Sequence, residues 1–211
     1  MLNYSFGKPS KANIRTMNVK TLDVANTHEA IRILAAAFAD DPVINWTCNS
    51  PASLESFFEI MLPVFIPHQL SYLEPQGRGV AVWLGPHQTL HWPVKLSSVA
   101  KIFKLGGMRG IYRMLLSGVK TERHHPKTPH YYLFAIGVTP GNKGQGIGTQ
   151  LITHLLRQCD AEGMPAYLEN SKAANLAFYE GHGFKVQQQI QFADSAPPVW
   201  LMWREPVAAK A

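Results

Sequence analysis

Two cysteines, Cys48 and Cys159, are all that the 211-residue chain contains. A disulfide framework and a structural zinc site both need more, so the chain reads as a protein of a reducing compartment, the cytoplasm, with no metal. Long apolar runs are missing too. No stretch approaches the roughly 18–20 residues of a membrane span, and the N-terminus lacks the apolar core of a secretory signal. Acid is scarce at the start, where Lys8, Lys11, Arg15 and Lys20 precede Asp23, and residues 1–16 are expected to form a flexible basic arm, a targeting peptide being the alternative. Acid is scarce again over 95–127, where eight Lys and Arg stand against Glu122 alone. That segment holds a charge of +7 in a chain of net +6, so the remainder is near neutral. The basic character is local, and no aromatic RNA-binding signature or zinc-finger spacing accompanies it. A nucleic-acid partner is not expected.

What is present is the composition of a globular domain: 46% apolar and 16% charged residues, enough to bury a core in one domain over 17–206 with a tail at 207–211. "MNVKTLDV" reads as a short first strand, and Thr27 as the N-cap of a helix whose face is Ile31, Leu34, Ala35 and Phe38. Pro42 ends that helix. "SLESFFEIMLPVFI" is a second helix, broken at Pro63 or just after. "HQLSYLEP" and "GRGVAVWLGP" are strands joined by a turn. The basic segment repeats apolar residues at helical spacing and is interrupted by Gly106-Gly107, so it is expected to form two helices. Its apolar face is expected to cover an acceptor cleft, with a membrane surface or an acidic partner as alternatives. "YYLFAIGV" is a strand whose continuous apolar run implies burial on both faces. A helix through "QGIGTQLITHLLRQCDAEG", a strand "PAYLEN", a helix "KAANLAFYEGHG" and a hairpin of "FKVQQQIQF" with "PVWLMWRE" complete the chain. The fold class is α/β, a mixed central sheet of about six to seven strands flanked by helices, with a helical insertion before the central strand. No internal repeat is visible.

Between the central strand and the next helix stand Gly141, Gly144, Gly146 and Gly148. Glycines inside a helix start cost about 1 kcal/mol each relative to Ala, so stability alone does not explain them. They let backbone approach an anion closely, and the orphan N–H groups of a first helical turn suit a pyrophosphate. A P-loop is excluded because Ile147 follows Gly146 where Lys then Ser or Thr is required. A dinucleotide fingerprint fails at Thr149, which stands where a third glycine is needed. What remains is a loop from Lys143 through Gly144, Gln145, Gly146, Ile147 and Gly148 to Thr149 whose amides face one phosphate group.

"VTPGNKGQGIG" resembles the acetyl-CoA pyrophosphate loop of the GNAT N-acetyltransferases, V-x-P-x-x-[Q/R]-x-x-G-x-[G/A], with Lys143 where Gln or Arg is usual. "LENSKAANLAFYEGHGF" resembles the second motif of that family, with Asn175, Phe178, Tyr179 and Gly183-Phe184 in register. "AVW", "LEN", "NLAFYEGHGF" and "AFADDP" resemble more narrowly the puromycin-type small-molecule acetyltransferases. The resemblance is clear over 131–205 and thinner before it. It implies a GNAT fold, acetyl-CoA as cosubstrate, and transfer of acetyl to a small-molecule primary amine by direct attack in a ternary complex, by a monomer or homodimer. A peptide or protein acetyltransferase and a non-catalytic acyl-CoA sensor are the alternatives.

The resemblance further implies that pantetheine runs along the edge of the central strand against Ile136 and Val138, with the amides from Ile136 through Gly137 to Val138 as an oxyanion site. Tyr179 matches the family's general acid, since a phenol stays protonated at neutral pH and can hand a proton to a thiolate. Asn175, one helical turn earlier, would hydrogen-bond the cosubstrate beside Phe178. The carboxylate that many members place on the central strand is absent, because that position is Tyr132. Glu169 and His130 are the candidate bases, and an amine arriving deprotonated would need none. Asp40, Asp41 and Trp46 follow the first helix and would suit a cationic acceptor. His124 and His125 are read as loop residues.

Overall fold

A computed structural model of the chain describes residues 19–47, 51–88 and 96–208, without the side chains of 51–53 and 96–106. The basic arm, Cys48 and the end of the tail lie outside it. The strands are β1 (Lys20–Thr21), β2 (Tyr72–Leu73), β3 (Gly79–Leu84), β4 (Tyr131–Val138), β5 (Ala166–Asn170), β6 (Lys185–Gln191) and β7 (Pro198–Arg204). The helices are α1 (Thr27–Ala37), α2 (Pro42–Thr47), α3 (Pro51–Phe65), α4 (Leu96–His124), α5 (Ile147–Glu162) and α6 (Leu176–Gly181). The seven strands form one mixed sheet in the order β1-β2-β3-β4-β5-β7-β6, in which β4 and β5 run parallel and every other neighbouring pair antiparallel. Among the described residues no helix is long and apolar enough to cross a membrane.

Alternation along the strands builds two layers. Val80, Val82 and Leu84 of β3 meet Leu34 of α1 and Phe58, Leu62 and Phe65 of α3 on one face. Ala81 and Trp83 point the other way and meet Leu151, Ile152 and Leu155 of α5. A third cluster, around Tyr167, Ile190, Phe192, Val199 and Leu201, extends the first face across β5, β7 and β6 towards Val43 and Trp46 of α2. The central strand is packed on both sides, as its unbroken apolar run implies. α1 lies so close to it that a Cβ on Gly137 would come within 2.8 Å of the Ala37 Cβ and 3.1 Å of Leu34 Cδ2. Gly137→Val is therefore expected to cost about 1–3 kcal/mol by overpacking, read as a fall in the midpoint of thermal unfolding.

Several local expectations shift. α1 begins at Thr27, so Asn26 and not Thr27 holds the N-cap position. The turn is tied instead by Asp23, whose Oδ1 accepts the Ala25 and Asn26 amides while its carbonyl accepts Thr27 Oγ1. The first strand is two residues long. "KAANLAFYEGHG" splits into a 3-10 turn at Ala173–Asn175 and the six-residue α6. The basic segment does break at a glycine: Gly107 has φ 57° and ψ −165°, kinking α4. Among the described side chains its apolar face does not cover the cleft, because Met108, Tyr112, Leu115 and Val119 are 58–72% exposed. The side that faces the protein carries the buried Gly110 and Arg113, which reaches α2.

Two ion pairs, each with one buried partner, tie the sheet to its surroundings. Arg204 grips Asp160 of α5 with Nη1 and Nη2 at 2.7 and 2.9 Å, and its Nε donates to the His182 carbonyl just after α6. Between β2 and β3, Glu74 is 1% exposed. Its carboxylate accepts Arg78 Nη2 at 2.6 Å, Arg78 Nε at 3.2 Å and the amides of Gln76 and Arg78. The Arg78 guanidinium holds the Glu74 carboxyl below its ordinary value of 4.5. A depressed carboxyl stabilises the fold fully above the unfolded value, and this is lost as pH falls through the folded one. Thermal melts from about pH 6 to 3 are expected to fall less steeply for Glu74→Gln than for the parent protein, with a lower midpoint at the neutral end.

Candidate active site

β4 and β5 pair only from Tyr131 opposite Ala166 to Leu133 opposite Leu168. Beyond that point the two parallel strands part, and the gap leaves one edge of β4 without a strand partner. The direction of the β4 amides decides what that edge offers. At its start, the Tyr131 N–H donates to the Pro165 carbonyl, towards β5. Eight residues on, the Thr139 N–H donates to the Arg78 carbonyl, towards β3. Strict alternation would send residues an even number apart to the same neighbour. The missing half-period is a β-bulge, a register shift between Val82 and Trp83 opposite Leu133 and Ala135. Side chains record it as well. Tyr131 and Leu133 face α5, Phe134 and Ala135 both face α1 and α3, and Ile136 and Val138 face α5 again. Past the bulge, then, the Ile136 and Val138 amides turn away from β3 and into the gap.

The strand runs straight into the glycine loop. A 3-10 turn at Pro140–Asn142 leads to Gly144 and Gly146, whose φ values of 80° and 78° lie in the left-handed region. Gly146 is the N-cap of α5, and its carbonyl accepts the Gln150 amide to open the helix. The amides of Ile147, Gly148 and Thr149 have no earlier carbonyl to bond within the helix. A Cβ placed on Gly144 meets no protein atom within 4 Å, so the loop opens onto free space. The fit to a diphosphate is that of a helix N-terminus behind a left-handed turn.

These elements enclose a cleft of about 460 Å³. Of the residues singled out from sequence, it is lined by Asp40, Asp41, Ile136, Gly137, Val138, Lys143, Gly144, Gly146, Ile147, Gly148, Thr149, Asn175, Phe178 and Tyr179. Gln145 is exposed on the loop and is not part of the lining. Four lining residues, Ala37, Phe38, Asn142 and Lys172, were not singled out for the site although all lie inside the quoted motifs. Tyr179 is 8% exposed, edge-on to Phe178 at 5.2 Å. Burial, and then the Asp41 charge, push its phenol above the ordinary range, so it stays protonated.

The acids after α1 are already engaged. Asp41 caps α2: its Oδ1 accepts the Val43 and Ile44 amides at 3.0 and 2.9 Å, and its Oδ2 accepts Ser171 Oγ from the end of β5. Burial raises its carboxyl, against those hydrogen bonds. Asp40 is exposed and paired with Lys172, which lowers its carboxyl. Trp46 is outside the cleft, and the cation over its ring is the chain's own Arg113, 4.6 Å from the centroid. Arg113 Nη1 also donates to the Trp46 carbonyl at 2.6 Å.

Glu169 and His130 lie on the far face of the sheet from Tyr179. Leu168 packs with α5, so by alternation Tyr167 and Glu169 project to the other side. Glu169 is the first β5 residue past the last pair with β4. Its carboxylate sits against Tyr132 and Tyr167, both of whose phenols are raised by burial and then by its charge. A carboxylate from the neighbouring strand thus lies beside position 132. His125, expected in a loop, joins this group. Its Nδ1 is 3.6 Å from Glu169 Oε1, and its Nε2 is 3.2 Å from His130 Nε2.

Comparison with known proteins bears on this geometry. A family model described as the acetyltransferase (GNAT) family matches residues 110–184, which span β4, the glycine loop, α5, β5 and α6. An uncharacterized N-acetyltransferase of Schizosaccharomyces pombe is 28% identical over 208 residues, covering 90% of this chain and 84% of that protein. Over residues 110–184 this chain is similar to the GNAT acetyltransferases. Solved structures share the GNAT fold along nearly its whole length. The histone acetyltransferase HPA2 and related acetyltransferase of Corynebacterium glutamicum superposes with a TM-score of 0.68 at 22% identity, over 93% of this chain and 100% of that one. The polyamine N-acetyltransferase of Drosophila melanogaster, which forms N-acetylagmatine, gives 0.61 at 16% identity over 90% and 99%. The GNAT activity is acyl-CoA-dependent N-acetyl transfer, and the match falls on the segment that builds the cleft.

Proposed function

We propose that the cleft binds acetyl-CoA and passes its acetyl group to a primary amine of a small molecule by direct attack in a ternary complex. The observation that carries this reading is the bulge in β4, which aims the Ile136 and Val138 amides into the gap in line with the N-terminus of α5. A pantetheine amide can pair with that edge as a strand would, and the diphosphate then reaches Lys143 to Thr149. The β4 amides around Gly137 stand where negative charge grows on the thioester oxygen. Asn175 and Phe178 flank the same arm, and Tyr179 protonates the departing thiolate. Asp40 and Asp41 shape the rim and position β5 against α2.

A small acceptor is favoured by the motif likeness to puromycin-type enzymes. The Drosophila neighbour's polyamine substrates supply one arm of the test. Thiol release from acetyl-CoA is measured across polyamines, arylalkylamines, aminonucleosides, amino sugars and acidic peptides. Release with at least one small primary amine is expected. Release with peptides alone would overturn the acceptor class, and calorimetry without CoA binding would overturn the cleft assignment.

A further inference from the structure

We propose that α4 docks this protein on an anionic membrane surface, with Met108, Tyr112, Leu115 and Val119 entering the headgroup layer. This surface is separate from the cleft, none of whose lining residues it shares. Seven large apolar side chains are exposed among the described residues, and four of them are these. They recur at intervals of four, three and four residues, which sets them in one row along the helix. The row is about 16 Å long. Apolar residues scattered singly over a surface are normal, but a continuous row marks a contact.

A surface helix ordinarily turns its apolar stripe inward. α4 is held the other way round by its polar side. Gly110 is buried, and a Cβ there would come within 3.3 Å of the Thr47 carbonyl of α2. Arg113 lies over the Trp46 ring and donates to the Trp46 carbonyl. Lys120 Nζ donates to the Gln191 carbonyl at the end of β6, at 3.1 Å. Rolling the helix to bury the row would break all three contacts, so the fold itself keeps the row outside.

Charge chooses the occupant. Eight Lys and Arg and one Glu give +7 over 95–127, and the rest of the chain is near neutral. Arg109 and Arg123 are exposed on one flank of the row, Glu122 on the other, and Lys127 just past the helix. A second copy of the chain would set one such segment against another, like against like. An anionic bilayer offers negative headgroups with apolar chains beneath them, in one plane. Shape agrees with charge. A Cβ on Gly107 or Gly118 would meet no atom within 4 Å. Among the described residues, then, no wall stands beside the row to make a groove for a partner's helix. A ridge of side chains 58–72% exposed can enter a flat layer.

The test is flotation of the full chain with vesicles of phosphatidylcholine, with and without about one third phosphatidylserine. Binding to the anionic vesicles is expected, with little to the neutral ones, and added salt should weaken it. Tyr112→Ser combined with Leu115→Ser leaves the charge untouched and is expected to weaken binding roughly tenfold or more. Arg109→Gln and Arg123→Gln should each weaken it about fivefold. These side chains are exposed, so the midpoint of thermal unfolding should stay close to that of the parent protein, which checks folding. Lys8, Lys11 and Arg15 are unaltered in every variant. Undiminished binding after loss of Tyr112 and Leu115 would therefore put the attachment elsewhere on the chain and overturn the proposal. Failure of the parent protein to bind anionic vesicles would overturn it too, and a dimer formed through the row, or an acidic amphipathic peptide bound on it, would then name the occupant instead.

Discussion

Tyr179→Phe is expected to lower kcat roughly 100-fold or more, while the KM for acetyl-CoA moves less than about threefold. The ring remains, so its edge contacts with Phe178 and Phe184 and the packing of α6 on β4 are retained. Only the hydroxyl is lost, and with it the proton for the leaving thiolate. Burial and the Asp41 charge keep that phenol from ionising. A raised phenol is a weaker acid in water, but a thiolate leaving into the same dehydrated cleft is raised as well, so the two remain matched. The kcat profile of the parent protein is accordingly expected to show no alkaline decline from Tyr179 below about pH 10. Steady-state kinetics with thiol detection reads both parameters. A kcat within a few fold of the parent would remove the assignment and leave the CoA site standing.

The second large effect is expected at the loop. Gly146→Asp should raise the KM for acetyl-CoA by about 100-fold or more. The residue sits at φ 78° as the N-cap of α5, a conformation that costs an ordinary L-residue about 1–2 kcal/mol and Asn or Asp less. Asn and Asp are close in size and in tolerance of that backbone, so Gly146→Asn is the control for strain. The aspartate adds a negative charge where two phosphates must approach, and its penalty should exceed that of the asparagine about tenfold at low salt. Added salt should narrow the difference, because screening weakens repulsion between exposed charges. Equal effects of the two substitutions would mean that geometry alone governs the loop.

What the sequence makes legible is whatever is local. The glycines from Gly141 to Gly148 sit between a β-branched run and an amphipathic run, and the loop they announce is where the cleft opens. Gly107 breaks α4 where the doublet says it should. The failures lie where two distant segments meet. Asp41 precedes a proline and can equally read as a helix cap or as part of an acceptor wall, and only the fold reveals that Val43, Ile44 and Ser171 already occupy its oxygens. Trp46 reads as a receptor for a cation, and the cation comes from Arg113 on a helix far along the chain. Glu122 stands one helical turn before His125, so what lies near it in sequence suggests a different partner. Its partner is two elements away, on β5. The exposed stripe on α4 was misplaced for the same reason, since periodicity shows that a helix has an apolar side and not where that side points.

The bulge in β4 has a consequence for how the site can be inherited. The donors it directs into the gap are main-chain amides, so no side chain at 134–138 has to be conserved for the oxyanion site and the cosubstrate edge to exist. The constraint falls on parity. Val82 pairs with Ala135 and Trp83 with Leu133, so loss of Phe134 would leave a regular strand with the Ile136 and Val138 donors still in the gap. Loss of one residue between Ala135 and Val138 would instead shift by one which amides face it. Gly137 apart, substitution is therefore cheap along this strand, and two such enzymes can diverge in most side chains here while the amides keep their direction.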